Sequence, residues 1–341
     1  MASRPAMASR RGFVSGGSWV LDHIKLVDHW PIEETLAQII GTDQQGGGSG
    51  HNFGVDITKL DPTMPVEAIG LLGSDADGDF LAERAREAGI DTRQLRRTDA
   101  AATSYTDVVS DTTTGRRTFF HHVGTSDLLT PDDFDFSQTG CRVLHLGLLG
   151  LHGILDHPWR DDPNGWVTIL KKARSAGLET NIELVSIDAD RIRRTCRPCL
   201  AHLDTLIVND HEIGALADLP TVRDGTTDVA LVREAAESIL AAGAMRLVVV
   251  HHPDGAICAS RDGQIVERPS VPVPPERIGS TVGAGDAFAA GMLYALHEAW
   301  PIAHALELAH ATAAASLRSP TTVGSVEDVD TCLEMSGFTR P

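Results

Sequence analysis

The sequence predicts an α/β fold on a mostly parallel central sheet, and three observations lead there. Strand-like and helix-like apolar runs alternate along almost the whole chain, the pattern that interleaves helices with parallel strands. One stretch, residues 103–122, breaks the alternation and reads as two strands in succession, a small β appendage. With 341 residues and no internal repeat, low-complexity tract or long linker, the chain suits one core domain carrying that appendage rather than two independent domains.

Taken in order, residues 1–11 are positively charged but lack the continuous apolar run of a secretory signal, and read as a disordered leader. Residues 19–40 are a region that could add strands to the small sheet. A helix is expected over 53–60, a strand over 66–73 and a helix over 77–89. The hairpin follows, with strands 104–110 and 116–122 joined by Asp111-Thr-Thr-Thr-Gly115. Strands are expected again over 142–147, 205–209 and 245–251, and helices over 165–177, 227–243, 286–300 and 302–317. The clearest of these helices carries Val229, Val232, Ala236, Ile239 and Leu240 at spacings of three and four, with Gly243 as its stop. Residues 336–341 read as a tail.

Composition excludes several functions. With 29 Lys plus Arg against 47 Asp plus Glu, the net charge of −18 argues against nucleic acid as a partner, because a phosphate backbone is held by clustered cations. The longest nearly apolar stretch, residues 143–155, is shorter than the ~18–20 residues that cross a bilayer, so no membrane partner is expected. Five scattered cysteines make no disulfide framework and fit a reducing cytoplasm, and Cys196-Arg-Pro-Cys199 lacks a second pair to complete a metal site. The P-loop, the Gly-x-Gly-x-x-Gly fingerprint, Gly-x-Ser-x-Gly and His-Glu-x-x-His are all absent.

The most informative segment is Gly279-Ser-Thr-Val-Gly-Ala-Gly-Asp-Ala-Phe-Ala-Ala-Gly291, a Gly-rich loop running into a helix. Glycines 283 and 285 let the backbone approach a ligand, and the first helical N–H groups suit a phosphate. Asp286 at its edge could take a proton from an attacking hydroxyl; a second reading has Asp286 capping the helix and the glycines making a tight turn. Gly46-Gly-Gly-Ser-Gly-His-Asn52 would let a polyol lie against the backbone with Asn52 bonding its hydroxyls, or is a loop ending in an Asn cap. Asp22 interrupts the apolar run Trp19-Val-Leu-Asp-His-Ile, as a ligand or as a turn residue. In Leu206-Ile-Val-Asn-Asp-His-Glu212, Asn209 and Glu212 stand at the end of an expected parallel strand, where such sheets bind ligands, and capping is again the alternative.

Together, and in this order, these elements resemble the ribokinase/PfkB family of carbohydrate kinases. The resemblance runs from about residue 17 to 326, and its most specific part is Thr281-Val-Gly-Ala-Gly-Asp286. Gly73-Ser-Asp-Ala-Asp-Gly78 and the Arg117 hairpin support it. It implies a ribokinase-like three-layer α/β/α core over residues 12–335, with a small β-sheet lid from segments at about 19–45 and 102–124. It implies ATP-dependent phosphorylation of a hydroxyl on a small sugar or sugar acid of pentose, hexose, ketose or 2-keto-3-deoxygluconate type. Asp286 would be the general base, with Gly283, Ala284 and Gly285 as the anion hole. Asp22, Gly47, Gly48 and Asn52 would hold the substrate, Asn209, Thr281, Gly283 and Gly285 the nucleotide, and Glu212 Mg2+ through water. A homodimer through the lid is implied as well. A nucleoside kinase on the same fold and a non-catalytic nucleotide- or sugar-binding protein are the alternatives. Two departures stand out: Ser280 replaces the usual Asp, which puts K+ in doubt, and His251-His252-Pro253 stands where a Thr-x-Gly or Lys-x-Gly turn is usual.

Overall fold

A sheet of nine strands divides the molecule into layers in the computed structural model, which describes residues 10–114, 116–319 and 321–341. The chain begins with β1 (Phe13–Gly17), β2 (Val20–Val27), β3 (Ile39–Gly47), α1 (Ser49–Leu60), β4 (Val66–Gly73), α2 (Ala76–Glu87) and β5 (Asp91–Thr98). It continues through β6 (Tyr105–Asp111), β7 (Arg117–His122), β8 (Val143–Leu149), α3 (Gly165–Ser175), β9 (Glu179–Leu184), α4 (Ala189–Cys196), β10 (Thr205–Asn209) and α5 (Asp210–Ala217). A short β11 (Val222–Arg223) and β12 (Thr226–Thr227) precede α6 (Val229–Ala242), β13 (Leu247–His252), β14 (Gly255–Ser260), β15 (Ile265–Pro269), α7 (Ala284–His297), α8 (Ile302–Ser316) and α9 (Val329–Ser336).

The large sheet has the order β15-β14-β13-β10-β9-β8-β1-β4-β5. Its run from β13 to β5 is parallel, and β14 and β15 add an antiparallel edge. Because side chains alternate along a strand, neighbours feed opposite cores: Phe13, Val143, Ile207 and Val249 pack with α1, α2, α7, α8 and α9, while Val14, Leu144, Val208 and Val248 pack with α3, α4, α5 and α6. This is the expected ribokinase-like three-layer arrangement. Polar caps start the helices: Asp75, Asn164, Asp188, Asn209, Asp228 and Asp328 each accept an N–H from the first turn.

A separate four-stranded sheet, in the order β3-β2-β6-β7, covers the C-terminal edge of the large one, and its β6 and β7 are the hairpin expected from sequence. Of the stretch read as a leader, residues 1–9 lie outside the described residues; Arg10 donates to the Ala176 carbonyl and Arg11 to the Thr63 carbonyl and Asp61. The stretch read as a tail is tied back, with Gly337 capping α9, Phe338 packed on the core and Arg340 paired with Asp330. No described helix is long and apolar enough to cross a membrane.

Candidate active site

One cavity of about 610 Å3 lies between the two sheets, at the C-terminal ends of the parallel strands. Asp22, Gly48, Asn52, Asn209, Glu212, Gly283, Gly285 and Asp286 line it, so most positions singled out in sequence meet there although they come from four separate segments. Gly47, Thr281 and Ala284 do not form its wall. Gly47 backs Asp22, since a Cβ on it would lie 2.5 Å from Asp22 Oδ2. Thr281 is exposed, and its carbonyl accepts the Ala284 N–H at 3.4 Å.

Strand register builds the wall contributed by the small sheet. Asp22 of β2 stands opposite Thr106 of β6, and Thr106 opposite His121 of β7, which puts the three side chains in a row facing the cavity. The Thr106 hydroxyl lies 3.0 Å from His121 Nδ1 and also bonds Asp22. Burial, followed by the charge of Asp286, raises the Asp22 carboxyl to about 7. Phe119, two residues from His121, shares its face.

The opposite wall is the start of α7. Gly283 has φ +86°, and a Cβ there would come within 2.7 Å of the Thr322 carbonyl, so the turn into the helix requires glycine. The N–H groups of Gly285 and Asp286 find no acceptor among the described residues and are free for an anion. Asp286 accepts from Asn52 Nδ2 at 2.8 Å. Burial, with the Glu183 carboxyl beside it, holds Asp286 well above the usual carboxylate range. The loop before the helix is gripped by β7: Arg117 donates to Ser280 Oγ at 2.5 Å and to the Gly279 carbonyl at 2.9 Å.

Asn209 and Glu212 cap a helix and line the cavity at once. Asn209 Oδ1 accepts the Glu212 N–H at 2.8 Å, and Glu212 Oε2 accepts the Asn209 N–H at 3.0 Å. Glu212 Oε1 accepts from Ser186 Oγ at 2.9 Å, and burial raises this carboxyl to about 7. With each of its oxygens already accepting a hydrogen bond, Glu212 fits an ion held through that ion's water shell better than one bound directly. Among the described residues no set of three His, Cys, Asp or Glu side chains is placed to hold a metal.

Sequence reasoning passed over Glu183, His145, Asn181 and Thr106, and gave His121 a place on a small-sheet strand but no role; all five line the cavity. Glu183 and Asn181 lie on β9, whose Glu179-Thr-Asn-Ile-Glu-Leu184 is too polar to read as a central strand. His251, at the end of β13, packs on Phe288 with ring centroids 5.0 Å apart and faces Gly285; burial lowers it to about 4. Cys196 and Cys199 are buried and free, and burial pushes the Cys196 thiol up to about 12, which leaves the pair inert.

Comparison with known proteins bears on the family and the fold. The family model described as pfkB family carbohydrate kinase matches residues 13–329. A 5-dehydro-2-deoxygluconokinase of Clostridium perfringens is 23% identical over 292 residues, 83% of this chain and 81% of its own length. An ATP-dependent ribose-1-phosphate kinase of Halopiger xanaduensis is 29% identical over 291 residues, 84% of this chain and 86% of its own. Among solved structures, a ribokinase of Arabidopsis thaliana complexed with ribose and ATP aligns with a TM-score of 0.78 at 20% identity, over 97% of this chain and 100% of that one.

Proposed function

The chain belongs to the pfkB family of carbohydrate kinases and is a phosphotransferase, and from that premise we propose that it transfers the γ-phosphoryl group of ATP to a hydroxyl of a small, uncharged sugar. The observation that carries this reading is the start of α7, where free N–H groups of Gly285 and Asp286 and the Asp286 carboxylate face one cavity. The N–H groups meet the transferred phosphoryl oxygens while Asp286 takes the proton of the attacking hydroxyl. Asp22, Asn52 and Gly48 hold the acceptor's other hydroxyls. Glu212 and Asn209 would hold Mg2+ through its water shell, and the ion would supply neutralisation of phosphate charge.

The uncharged acceptor follows from the charges around it. Asp22, Glu183, Glu212 and Asp286 line the cavity, and no Lys or Arg does among the described residues. The basic side chains of the small sheet nearest to it are engaged, Lys25 with Asp107 and Arg117 with Ser280 and Gly279. A sugar acid or sugar phosphate would meet carboxylates with no cation to answer it. Phe119 on the same wall favours a nucleoside as the second reading, because an aromatic ring offers a base a stacking surface. The test is ADP release from Mg-ATP with ribose, fructose, glucose and nucleosides, set against gluconate, ribose 5-phosphate and fructose 1-phosphate. Turnover is expected with an uncharged acceptor; turnover confined to the anions overturns the acceptor class, and silence throughout overturns the kinase activity. Replacing KCl by NaCl is expected to leave the rate unchanged, since Ser280 Oγ and the Gly279 carbonyl already accept from Arg117.

Gly47→Ala probes the acceptor side. The new methyl must push Asp22 aside, so the KM for the acceptor is expected to rise about tenfold with the KM for ATP unchanged; a rise confined to ATP contradicts the assignment of Asp22. A second copy of the chain is the proposed partner of the small sheet. Its edges β3 and β7 are unpaired by other strands, and Ile39, Ile40, Phe119 and Phe120 on them are exposed.

A further inference from the structure

Beside Asp286 runs a row of polar groups, from the cavity-facing Glu183 to the fully buried His145, to which the reaction as described gives no part. His145 of β8 is fully buried, with Phe53 stacked on its ring at 4.0 Å and 12° between planes. Its Nδ1 lies 2.8 Å from Asn181 Oδ1 and its Nε2 lies 3.1 Å from Glu183 Oε2. Asn181 Nδ2 donates to the Thr205 carbonyl at 3.1 Å, which turns Oδ1 toward the imidazole and puts a hydrogen on Nδ1. Nε2 and Glu183 can then meet only across a proton, carried by one or the other. Glu183 also meets the Asp286 carboxyl, and two carboxyls make a hydrogen bond only when one is protonated. The far end is anchored, because Asn52 Nδ2 donates to Asp286 and Asn52 Oδ1 accepts from Thr322 Oγ1 at 3.1 Å.

Resting on the kinase reading above, we infer that Glu183 and His145 form a proton relay behind Asp286 that carries away the proton of the acceptor hydroxyl. The row runs Asn181, His145, Glu183, Asp286, Asn52. Holding one mobile proton, it can bridge either the His145–Glu183 contact or the Glu183–Asp286 contact, but not both. In the transfer step the acceptor oxygen bonds to the γ-phosphorus, the bond from that phosphorus to the bridging oxygen breaks with its electrons going to ADP, and the acceptor's proton passes to Asp286. With two protons both contacts are bridged: Asp286 donates to Glu183, and Glu183 donates to His145 Nε2. A shift of each proton one place along the row makes His145 an imidazolium and leaves Asp286 a carboxylate again. The row gains one proton and its net charge rises from −1 to 0 with no other reactant. After product leaves, Asp286 returns the proton to water through the cavity it faces.

The groups around the row fit this inventory. His145 is faced by Phe53 of α1 and by Asn181 and Glu183 of β9, and it feels Asp286 of α7. Glu183 is faced by Glu212 of α5 and Asp56 of α1 as well, and Asp286 by Asp22 and Asp56. Burial raises Glu183 to about 7 and lowers His145 to about 4, against the bond from Asn181 and the charge of Asp286. The resting proton therefore sits on the carboxyls with the imidazole neutral, which leaves Nε2 open to receive.

Two measurements test the relay. The first follows the imidazole nitrogens of His145 by 15N NMR in the protein without substrates, across pH, in wild type, Asp286→Asn and Glu183→Gln. Each variant removes a negative charge from the row, so protonation of His145 is expected to move to lower pH by a unit or more; identical titrations in all three overturn the relay whatever the enzyme's substrate. The second uses the acceptor identified by the panel. Glu183→Gln is expected to lower kcat by about 10²-fold with both KM values unchanged, and to move the acid limb of the kcat profile to lower pH, because the Gln amide donates to Asp286 and makes it a weaker base. His145→Gln is expected to lower kcat less, with the same direction of shift. A raised KM at unchanged kcat, or a lowered kcat with an unmoved acid limb, assigns Glu183 a structural part only and overturns the relay.

Discussion

Asp286→Asn is expected to reduce turnover by about 10²–10⁴-fold and, at the same time, to raise the melting temperature. The loss follows from removing the group proposed to take the hydroxyl proton. The gain in stability follows from the cost of the carboxyl itself. Asp286 is pushed well above the carboxylate range by burial and by Glu183, and its charge in turn raises Asp22 and Asp56. Asparagine keeps the shape, accepts from Asn52 with its oxygen and offers Glu183 a donor in place of a like charge. Relief of about 1 kcal/mol amounts to roughly 1–2 °C for a chain of this size. Thermal unfolding and steady-state kinetics on the same preparation check both halves. Near-normal turnover removes Asp286 from the chemistry, and a lowered melting temperature shows that the charge is compensated in a way the geometry does not reveal.

Stability is expected to fall as pH rises from about 6.5 to 8.5, by on the order of 2 kcal/mol or roughly 3 °C. Burial raises Asp22, Glu183 and Glu212 to about 7, and holds Asp56 and Asp286 well above the usual carboxylate range. A carboxyl raised in the folded state keeps a proton that the unfolded chain has already released, so its stabilisation is present at low pH and is lost as pH passes through the folded value. Buried histidines work in the opposite sense. His51, His145, His251 and His310 are lowered by burial from 6.5 to about 4, so the unfolded chain takes up protons that the folded one refuses as pH falls through that window. Between about 4 and 6.5 the two groups oppose each other; above 6.5 the histidines are neutral in both states and the carboxyls act alone. Melting temperatures at pH 6.5, 7.5 and 8.5 decide the sign, and Asp286→Asn is expected to flatten the decline. A melting temperature that rises across this range contradicts the buried-carboxyl account.

What was legible in the sequence and what was not divide along physical lines. The loop 279–286 announced itself because close approach to an anion demands glycine within a few consecutive positions, and Gly283 at φ +86° is held to that demand by the Thr322 carbonyl. Asn209 and Glu212 were readable because a capping box is local, although capping and lining the cavity stood as rival readings and the structure has the same atoms do both. Glu183 and His145 were not readable. They belong to adjacent strands 38 residues apart, and nothing near Glu183 in the chain signals the imidazole opposite it. Thr106 and His121 depend in the same way on cross-strand register, which a hairpin assignment accurate to a residue or two does not determine. The edge strands of the large sheet, β5 and β15, mix polar and apolar residues without a clean period, so the alternation that predicted the fold class did not delimit them.

Arg117 has a consequence for how the two substrates meet. It belongs to the sheet that walls the acceptor pocket, yet its hydrogen bonds are to the loop that leads into the phosphate-binding turn. Displacing the sheet breaks two bonds on the nucleotide side, and displacing the loop frees an arginine on the acceptor side. On the proposed reading, an occupant that orders the sheet or the loop would help to order the other through Arg117, and thermodynamic reciprocity would make the benefit equal in both directions. On that reading the affinity for nucleotide and the affinity for acceptor would not be independent: each would be defined only at a stated concentration of the other.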